Sequence, residues 1–539
     1  MPRIRILGQI TKGVILSPKR WLQSLTIRHS RLLLYYLFQA DENERGKLSA
    51  LLSLKNNRNN DRNKFQQPKI NSPDKEIPVF DEIQVSIVIP VYNQWPLTKA
   101  CISSIINSVK NVKYEIILAD DASTDETLSA LTCFENLHVV RNTPNLGFLL
   151  NCNNAAKCAR GEYLVFLNND TIVHDYWLEA LTDKMNKDLS ITICGSKLVF
   201  PDGTLQEAGG IIWDDASGWN YGRGDDPSKP EYSYCKDVDY ISGASIMIRR
   251  CFWVEVGGFD ERYVPAYYED TDLAFEAVNR GYKVVFHPHS VVTHFEGKSH
   301  GTDETSGTKA HQVTNHLKFQ EKWQKKLASE HFKNAEHVFQ ARDRSVNKRT
   351  ILVIDHYVPW FDKDAGSRST YMYLEMFIEL GYNVKFLGDN FFPHQPYTDY
   401  LNEMGVETLH GQWYAENWSE WIKLNAEYID VVYLHRPHIA PKYIDFIRKH
   451  TSAKIVYQCH DLHHVRIQRD FENTGQKHLK KEAQRMKKIE EGIFNTVDIS
   501  LTFSHDEKLI LDGYNLSSRV EQIPLFLYDD IEEKSTEYK

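Results

Sequence analysis

The chain has 539 residues, 42% apolar and 25% charged, which is globular composition and, at about 150 residues per domain, three to four domains' worth of length. That excludes a small disulfide scaffold, a collagen-like fibre and a wholly disordered chain. Lys and Arg total 64 against 73 Asp and Glu, and the formal charge of −9 argues against general nucleic-acid binding.

Eight cysteines without a CxxC pair indicate neither a zinc ribbon nor a disulfide framework, so a reducing, cytoplasmic setting is expected. Residues 1–52 read as a basic helical segment. Its first 40 residues hold no Asp or Glu but carry Arg3, Arg5, Lys12, Lys19, Arg20, Arg28 and Arg31 among large apolar side chains. Such a segment suits either peripheral contact with anionic lipid at the inner face of the cell membrane or packing on the protein's own surface. Its longest apolar run, 32–38, is shorter than the roughly twenty residues that span a bilayer, and no cleavage site follows, so neither a transmembrane segment nor secretion is expected.

Residues 53–83, rich in Asn, Lys, Asp, Gln and Pro, form a linker. At Gln84 the character changes. VSIVIPVYN, a helical pattern over 96–109 and YEIILADDAS make a strand–helix–strand unit, which implies a parallel sheet with a right-handed crossover. Helices follow at 125–134, 148–159 and 176–185, strands at 137–141 and 162–167, then short strands and Gly-rich loops, a helix at 270–280 and the strand YKVVFHP. Residues 84–300 therefore read as one α/β domain and 301–348 as a helical bridge. A second start at RTILVIDHYVP, with a helix at 369–380 and strands YNVKFLGDN, DVVYLHR, AKIVYQCHD, TVDISLTFS and RVEQIPLF, makes 349–539 a second, Rossmann-like α/β domain.

Ligands of open parallel sheets sit beyond the carboxyl ends of the strands. There the sequence places Pro90, Tyr92 and Asn93, then Asp120 and Asp121, then Asn168, Asn169 and Asp170. Carboxylates gathered at one sheet edge repel unless a cation joins them, and Asp170 with the amide oxygen of Asn168 offers oxygen ligands to a hard divalent ion. Each cluster also has a local reading: NND as an Asx turn, Asp120 and Asp121 as part of a helix cap.

In this order and spacing, VSIVIPVYN, LADDASTDET, NLGFLLNCNNAAKCARGEYLVFLNNDT, YISGASIMIRRCFWVEVGGFDERYVPAYYEDTDLAFEAVNRGYKV and THFEGKS resemble the inverting glycosyltransferases of family 2, which have the GT-A fold. The resemblance implies transfer of a hexose or deoxyhexose, such as rhamnose, from a nucleoside diphosphate to a glycan or lipid-linked acceptor of the cell surface, with Mg²⁺ or Mn²⁺. It implies that Pro90, Tyr92 and Asn93 shape the nucleotide pocket, that Asp120 and Asp121 bond the base, and that Asp170 holds the metal beside Asn168 and Asn169. Asn168 replaces the family's first metal-motif Asp, as in its rhamnosyltransferase-like members. By the same resemblance Asp270, next to Glu269, is the catalytic base, although acids in a first helical turn also suit the helix dipole. Gly258, Asp260 and Glu261 would face the acceptor, His294 the metal or diphosphate, and Lys298 and Ser299 the diphosphate. Alternatives in other classes are an inactive glycan-binding scaffold and a bifunctional transferase.

The later stretch IDHYVPWFDKDAGSRSTYMYLEMFIELGYNVKFLGDN, with YQCHDLHHVRIQRD and FSHDEKLIL, is similar to the N-terminal half of family 4 glycosyltransferases of the GT-B fold. Gly366, Ser367, Arg368, His460 and Asp461 are its candidate sugar or phosphate contacts. The nucleotide-binding second half of that fold has no counterpart after Phe526 in the sequence.

Overall fold

The computed structural model describes residues 76–130, 133–296 and 310–527. The basic segment 1–52, most of the linker, and Lys298 and Ser299 lie outside the described residues. Both sheets belong to one compact unit, 67–539.

The first sheet begins with β1 (Val85–Val91), helix α1 (Trp95–Ser108), β2 (Tyr114–Asp120) and β3 (His138–Arg141), then α2 (Phe148–Ala156), β4 (Tyr163–Leu167) and β5 (Thr171–Val173). After α3 (Trp177–Lys187) come β6 (Ile191–Val199), β7 (Leu205–Glu207), the hairpin β8 (Gly210–Ile212) and β9 (Gly218–Asn220), β10 (Lys236–Asp237) and β11 (Ser245–Arg249). Helix α4 (Glu269–Asn279) and the long strand β12 (Lys283–His294) close the domain. The sheet order is β10-β12-β6-β11-β4-β1-β2-β3, with β5 on β12 and β7 on β6.

All seven residues of β1 and of β2 are buried, because helices cover both faces of these strands and neither face needs polar side chains. Alternate residues serve opposite cores: Ile87 and Ile89 pack with Ile102 of α1 and Trp177 of α3, while Val88 packs with Leu149 of α2 and Phe166. The expected parallel arrangement holds from β3 to β4. It stops at β11, which runs antiparallel to both β4 and β6. The connection from β6 to β11 is the excursion β7–β10, with no crossover helix to force a parallel return.

The bridge contains α5 (Ala310–Glu330) and the short α6 (Val338–Ala341). The second sheet has seven strands: β13 (Thr350–Asp355), β14 (Asn383–Gly388), β15 (Glu407–Leu409), β16 (Ile429–His435), β17 (Lys454–Cys459), β18 (Ile499–Thr502) and β19 (Arg519–Gln522). Their order is β15-β14-β13-β16-β17-β18-β19 and every pairing is parallel. The strand order reverses between β13 and β16, the topological switch point of a doubly wound sheet. The helix after β13, α7 (Ala365–Glu379), starts four residues before the expected 369 because Asp364 caps it by accepting from the Ser367 amide. No helix among the described residues is long and apolar enough to cross a membrane.

A buried ionic network joins the domains through the bridge. Lys385 of β14, fully buried, lies 2.7 Å from Glu407 of β15 and 3.0 Å from Asp343 of the bridge. Arg342 reaches Glu407 at 2.6 Å, and the Tyr234 hydroxyl of the first domain donates to Asp343 at 2.9 Å. Arg342 and Lys385 thus face Asp343 and Glu407, with Glu231 a further 3.6 Å partner of Arg342 at the more exposed edge. Lys385→Met should cost about 3–5 kcal/mol in urea unfolding, because it strands a buried carboxylate, and Lys385→Met/Glu407→Leu should recover part of the loss by removing the opposite charge as well.

Candidate active site

At the end of β4 the chain turns through Asn168-Asn169-Asp170 into β5, which pairs antiparallel with the end of β12 so that Thr171 faces His294. That register brings the preceding residue, Asp170, against the histidine: His294 Nε2 lies 3.3 Å from Asp170 Oδ1. The Phe295 amide donates to the Asp170 carbonyl at 3.0 Å and pins the turn. His294 Nδ1 meets the side-chain amide of Gln206, on β7, at about 3.1 Å, which fixes the ring. The two side chains are buried, at 3% and 8% exposure.

Helix α4 supplies the second group of acids. Its start is forced by strain, since Tyr267 and Tyr268 both adopt the left-handed region, at φ 77° and 72°. Asn315 of α5 compensates by donating its amide to the carbonyls of Tyr263, Ala266 and Tyr267. One turn on, Asp272 accepts from Tyr263 Oη, Trp323 Nε1 and Lys322 Nζ at 3.0, 2.7 and 2.7 Å. Thus the bridge helix holds the acidic turn from behind.

Glu269 and Asp270 open onto a cavity of about 1190 Å³ that Asn168, Asp170, Gln206, Glu207 and His294 also line. Six carboxyl groups line it: Asp170, Glu207, Asp225, Glu269, Asp270 and Glu296. Burial, followed by the charge of Asp270, raises Glu207 to about 8 and Glu269 well above the usual glutamate range. The Oε2 atoms of both glutamates are buried without a hydrogen-bond partner. Asp270 is also raised by burial, but its oxygens accept from the Gly243 amide at 2.8 Å and the Thr271 amide at 2.7 Å, which favours the ionised form. Glu207 thus holds a proton at neutral pH, whereas Asp270 has a backbone donor on each oxygen to oppose the effect of burial.

Glu207 and Gln206 were not legible in the sequence. They lie in a three-residue strand with no period to read, followed by Gly209 and Gly210, where a Cβ at Gly210 would run into the Tyr240 ring. Their one signal is a carboxyl and an amide beside paired glycines. The irregular stretch also brings Arg223, paired with Glu296 at 2.6 Å, to the cavity wall.

The remaining candidates sit elsewhere. Asp120 accepts from Arg141 at 2.8 Å and from the Ser123 amide at 3.0 Å. Asp121 accepts from the Leu146 and Gly147 amides, each at 2.8 Å, and from Asn142 at 3.0 Å. Asn93, at φ 60°, accepts from the Thr124 and Asp125 amides and so stitches the β1 and β2 loops together. Pro90 is buried in β1 and Tyr92 is 51% exposed. The Asn169 amide donates to Thr98 at 3.0 Å rather than into the cavity. None of these lines the cavity, nor do Gly258, Asp260 and Glu261. Asp260 caps a short turn and pairs with Arg262 and Lys322, and the carbonyl of Phe259 accepts from Asn153.

The donor set suits a divalent ion. A carboxylate and an imidazole 3.3 Å apart have the separation of adjacent ligands around an ion bound at about 2.1 Å. Asn168, at the cavity wall, adds a further oxygen donor type.

Residues 86–253 match the model of glycosyl transferase family 2. The matched segment ends before Glu269, Asp270 and His294. The chain is 28% identical over 237 residues to the O-antigen biosynthesis protein RfbC of Myxococcus xanthus, covering 42% of this chain and 18% of that protein. It is 24% identical over 229 residues to N-acetylglucosaminyl-diphospho-decaprenol L-rhamnosyltransferase of Mycobacterium tuberculosis, covering 38% of this chain and 73% of that one. Among solved structures, GalNAc-T7 with UDP, GalNAc and Mn²⁺ aligns at 20% identity and a TM-score of 0.38, over 46% of this chain and 49% of that one. The chain thus spans less than a fifth of the Myxococcus protein's length. The fold is α/β, with a GT-A-like mixed sheet followed by a second, parallel-sheet domain.

The raised pKa of Glu207 has a measurable consequence. Between its unfolded value near 4.5 and its folded value of about 8, the folded chain binds the extra proton, so this group's contribution to stability falls as pH rises through that window. Glu207→Gln should remove that slope: the metal-free wild type loses melting temperature relative to the variant from pH 5 to pH 8, by differential scanning fluorimetry.

Proposed function

We propose that the chain is an inverting, metal-dependent glycosyltransferase that moves a hexose or deoxyhexose, such as rhamnose, from a nucleoside diphosphate to a growing cell-surface glycan or a lipid-linked precursor. The observation that carries this reading is that the Asp170–His294 pair and Asp270 line one cavity. The family-2 match over 86–253 supports the reaction class, and the relatives' names support a cell-envelope acceptor.

Charge makes the metal necessary to the proposal. The cavity wall carries Asp170, Asp270 and Glu296, which would repel a diphosphate. Mg²⁺ or Mn²⁺ held by Asp170 and His294, with Asn168 alongside, would supply the positive charge that stabilises the departing diphosphate. Arg223 adds a guanidinium at the same wall. On the donor side, Asp121 has three of its roughly four acceptor positions filled, which leaves one for the base N3–H. Asp120, Asn93 and Asn169 hold the loops around it, and Pro90 and Tyr92 border the nucleotide.

The chemical step is a single displacement. The acceptor hydroxyl gives its proton to Asp270 as its oxygen bonds to the anomeric carbon and the bond from that carbon to the diphosphate breaks, with inversion. Burial raises Glu269 well above the usual glutamate range, whereas two backbone amides donate to Asp270, which favours Asp270 as the base; Glu269 and Glu207 border the sugar as hydrogen-bonding groups. Gly258, Asp260 and Glu261 belong to the acceptor approach only through the turn that precedes α4.

Asp170→Ala should abolish Mn²⁺-dependent binding of UDP- or dTDP-sugars in calorimetry while the melting temperature stays near that of the parent. Unchanged affinity would remove Asp170 from the site. Asp270→Asn should slow turnover by about 10² to 10⁴ with donor affinity retained, since an amide keeps the shape but cannot take the proton. Turnover within about threefold of the parent would assign the base elsewhere.

A further inference from the structure

The second sheet has its own crevice at the switch point, where the carboxyl ends of β13 and β16 diverge. Asp355 ends β13, His435 ends β16 and His460 follows β17. His435 Nδ1 lies 3.0 Å from His460 Nε2 and 4.0 Å from Asp355 Oδ2, and the three candidate ligand atoms all fall within 4.8 Å of one another. We propose that Asp355, His435 and His460 form a second metal site, for a divalent transition ion, at the switch point of the C-terminal sheet.

Several observations converge on it. Ligands around an ion bound at 2.0–2.2 Å stand about 3–3.5 Å apart, so the histidine pair is already in place, and Asp355, 4.0 Å from His435 Nδ1, has to approach it by about 0.5–1 Å. His435 is 1% exposed, and it is its Nδ1 atom that faces both His460 and Asp355. Two imidazoles and one carboxylate are a set that transition ions favour over Ca²⁺ or Mg²⁺.

The surroundings behave as support for such a set. Thr370 of α7 donates to Asp355 Oδ2 at 3.1 Å, and Arg436 donates to Oδ1 at 3.1 Å. Arg436 holds φ 64°, a left-handed conformation costly for a residue with a Cβ, immediately after His435. Its positive charge beside the ion fits an anionic group, such as phosphate, in an open coordination position. Asp461, in contrast, turns to His463 and Arg466 at 2.9 and 3.0 Å, and Ser367 bonds back to Asp364, so these do not join the set. The residues involved are separate from Asp170 and His294, so this site stands whether or not the first domain transfers sugar.

The test is metal binding by the full chain, stripped with chelator and dialysed against Co²⁺ or Zn²⁺ without nucleotide. The expected result is one ion retained at micromolar free metal, with visible Co²⁺ bands and hyperfine-shifted imidazole protons from two histidines. Asp170→Ala should retain that ion, whereas His460→Gln and Asp355→Asn should weaken it by at least about tenfold. No ion retained by the wild type, fewer than two shifted imidazoles, or an ion lost in Asp170→Ala and kept in His460→Gln would each overturn the assignment. The wild-type spectrum decides the matter even where a variant fails to fold.

Discussion

The hydrogen bonding of Asp272 is the constraint on which the acidic turn depends. Its carboxylate is buried, and burial alone would push it towards the neutral form. Lys322, Trp323 and Tyr263 offset that by donating three hydrogen bonds from two different elements. A buried carboxylate with three donors is fixed in direction as well as position, so α4 can leave its N-terminal residues exposed to the cavity without fraying. The strained tyrosines before it cost on the order of 1–2 kcal/mol each. The Asn315 amide, shared among three carbonyls, offsets part of that cost. Both anchors come from α5, beyond the segment that matches the family model, so the bridge is structurally part of the first domain.

Within the cavity, the same burial that destabilises charge sorts the carboxyl groups. Glu207 and Glu269 each have one buried oxygen without a hydrogen-bond partner among the described residues and are raised by burial; Asp270 has backbone amides on both oxygens. Burial in a low-dielectric wall opposes ionisation of each acid, and the donors around each oxygen oppose that effect. A sequence lists three acids of similar intrinsic strength, and only the surrounding donors distinguish them.

Much of the scaffold was readable because β1, β2 and β4 are continuous apolar runs ending in turn residues, a pattern that survives without tertiary information. The expected helix at 148–159 ends at Ala156, since Cys158 and Ala159 make tighter one-turn bonds to Ala155 and Ala156. The antiparallel β11 was not readable, because its direction is set by the excursion from Val199 to Ser245, which has short strands and no α-helix. Asp170, His294 and Asp270 were reached through the motifs that carry them. Glu207, Asn315 and Asp355 were missed for a common reason: each acts through a partner remote in sequence, and neither periodicity nor local spacing encodes that pairing. His460 was noticed at a strand end, but its partners lie 25 and 105 residues earlier.

The ionic network at the domain junction shows how this chain keeps two such sheets in register. An apolar interface of the same size would hold the domains as firmly, but it would tolerate sliding, because hydrophobic contact has no direction. Lys385 between Asp343 and Glu407, with Arg342 closing the group, is satisfied in one arrangement, and displacement would leave a charge unpaired in a buried setting. The network includes adjacent residues of the bridge, and the bridge also carries α5 with Asn315 and Lys322. The element that orients the acidic turn of the first domain is therefore the element bonded to the second sheet, so a rearrangement of that sheet would be felt at Asp270 through covalent continuity rather than through a chain of weak contacts.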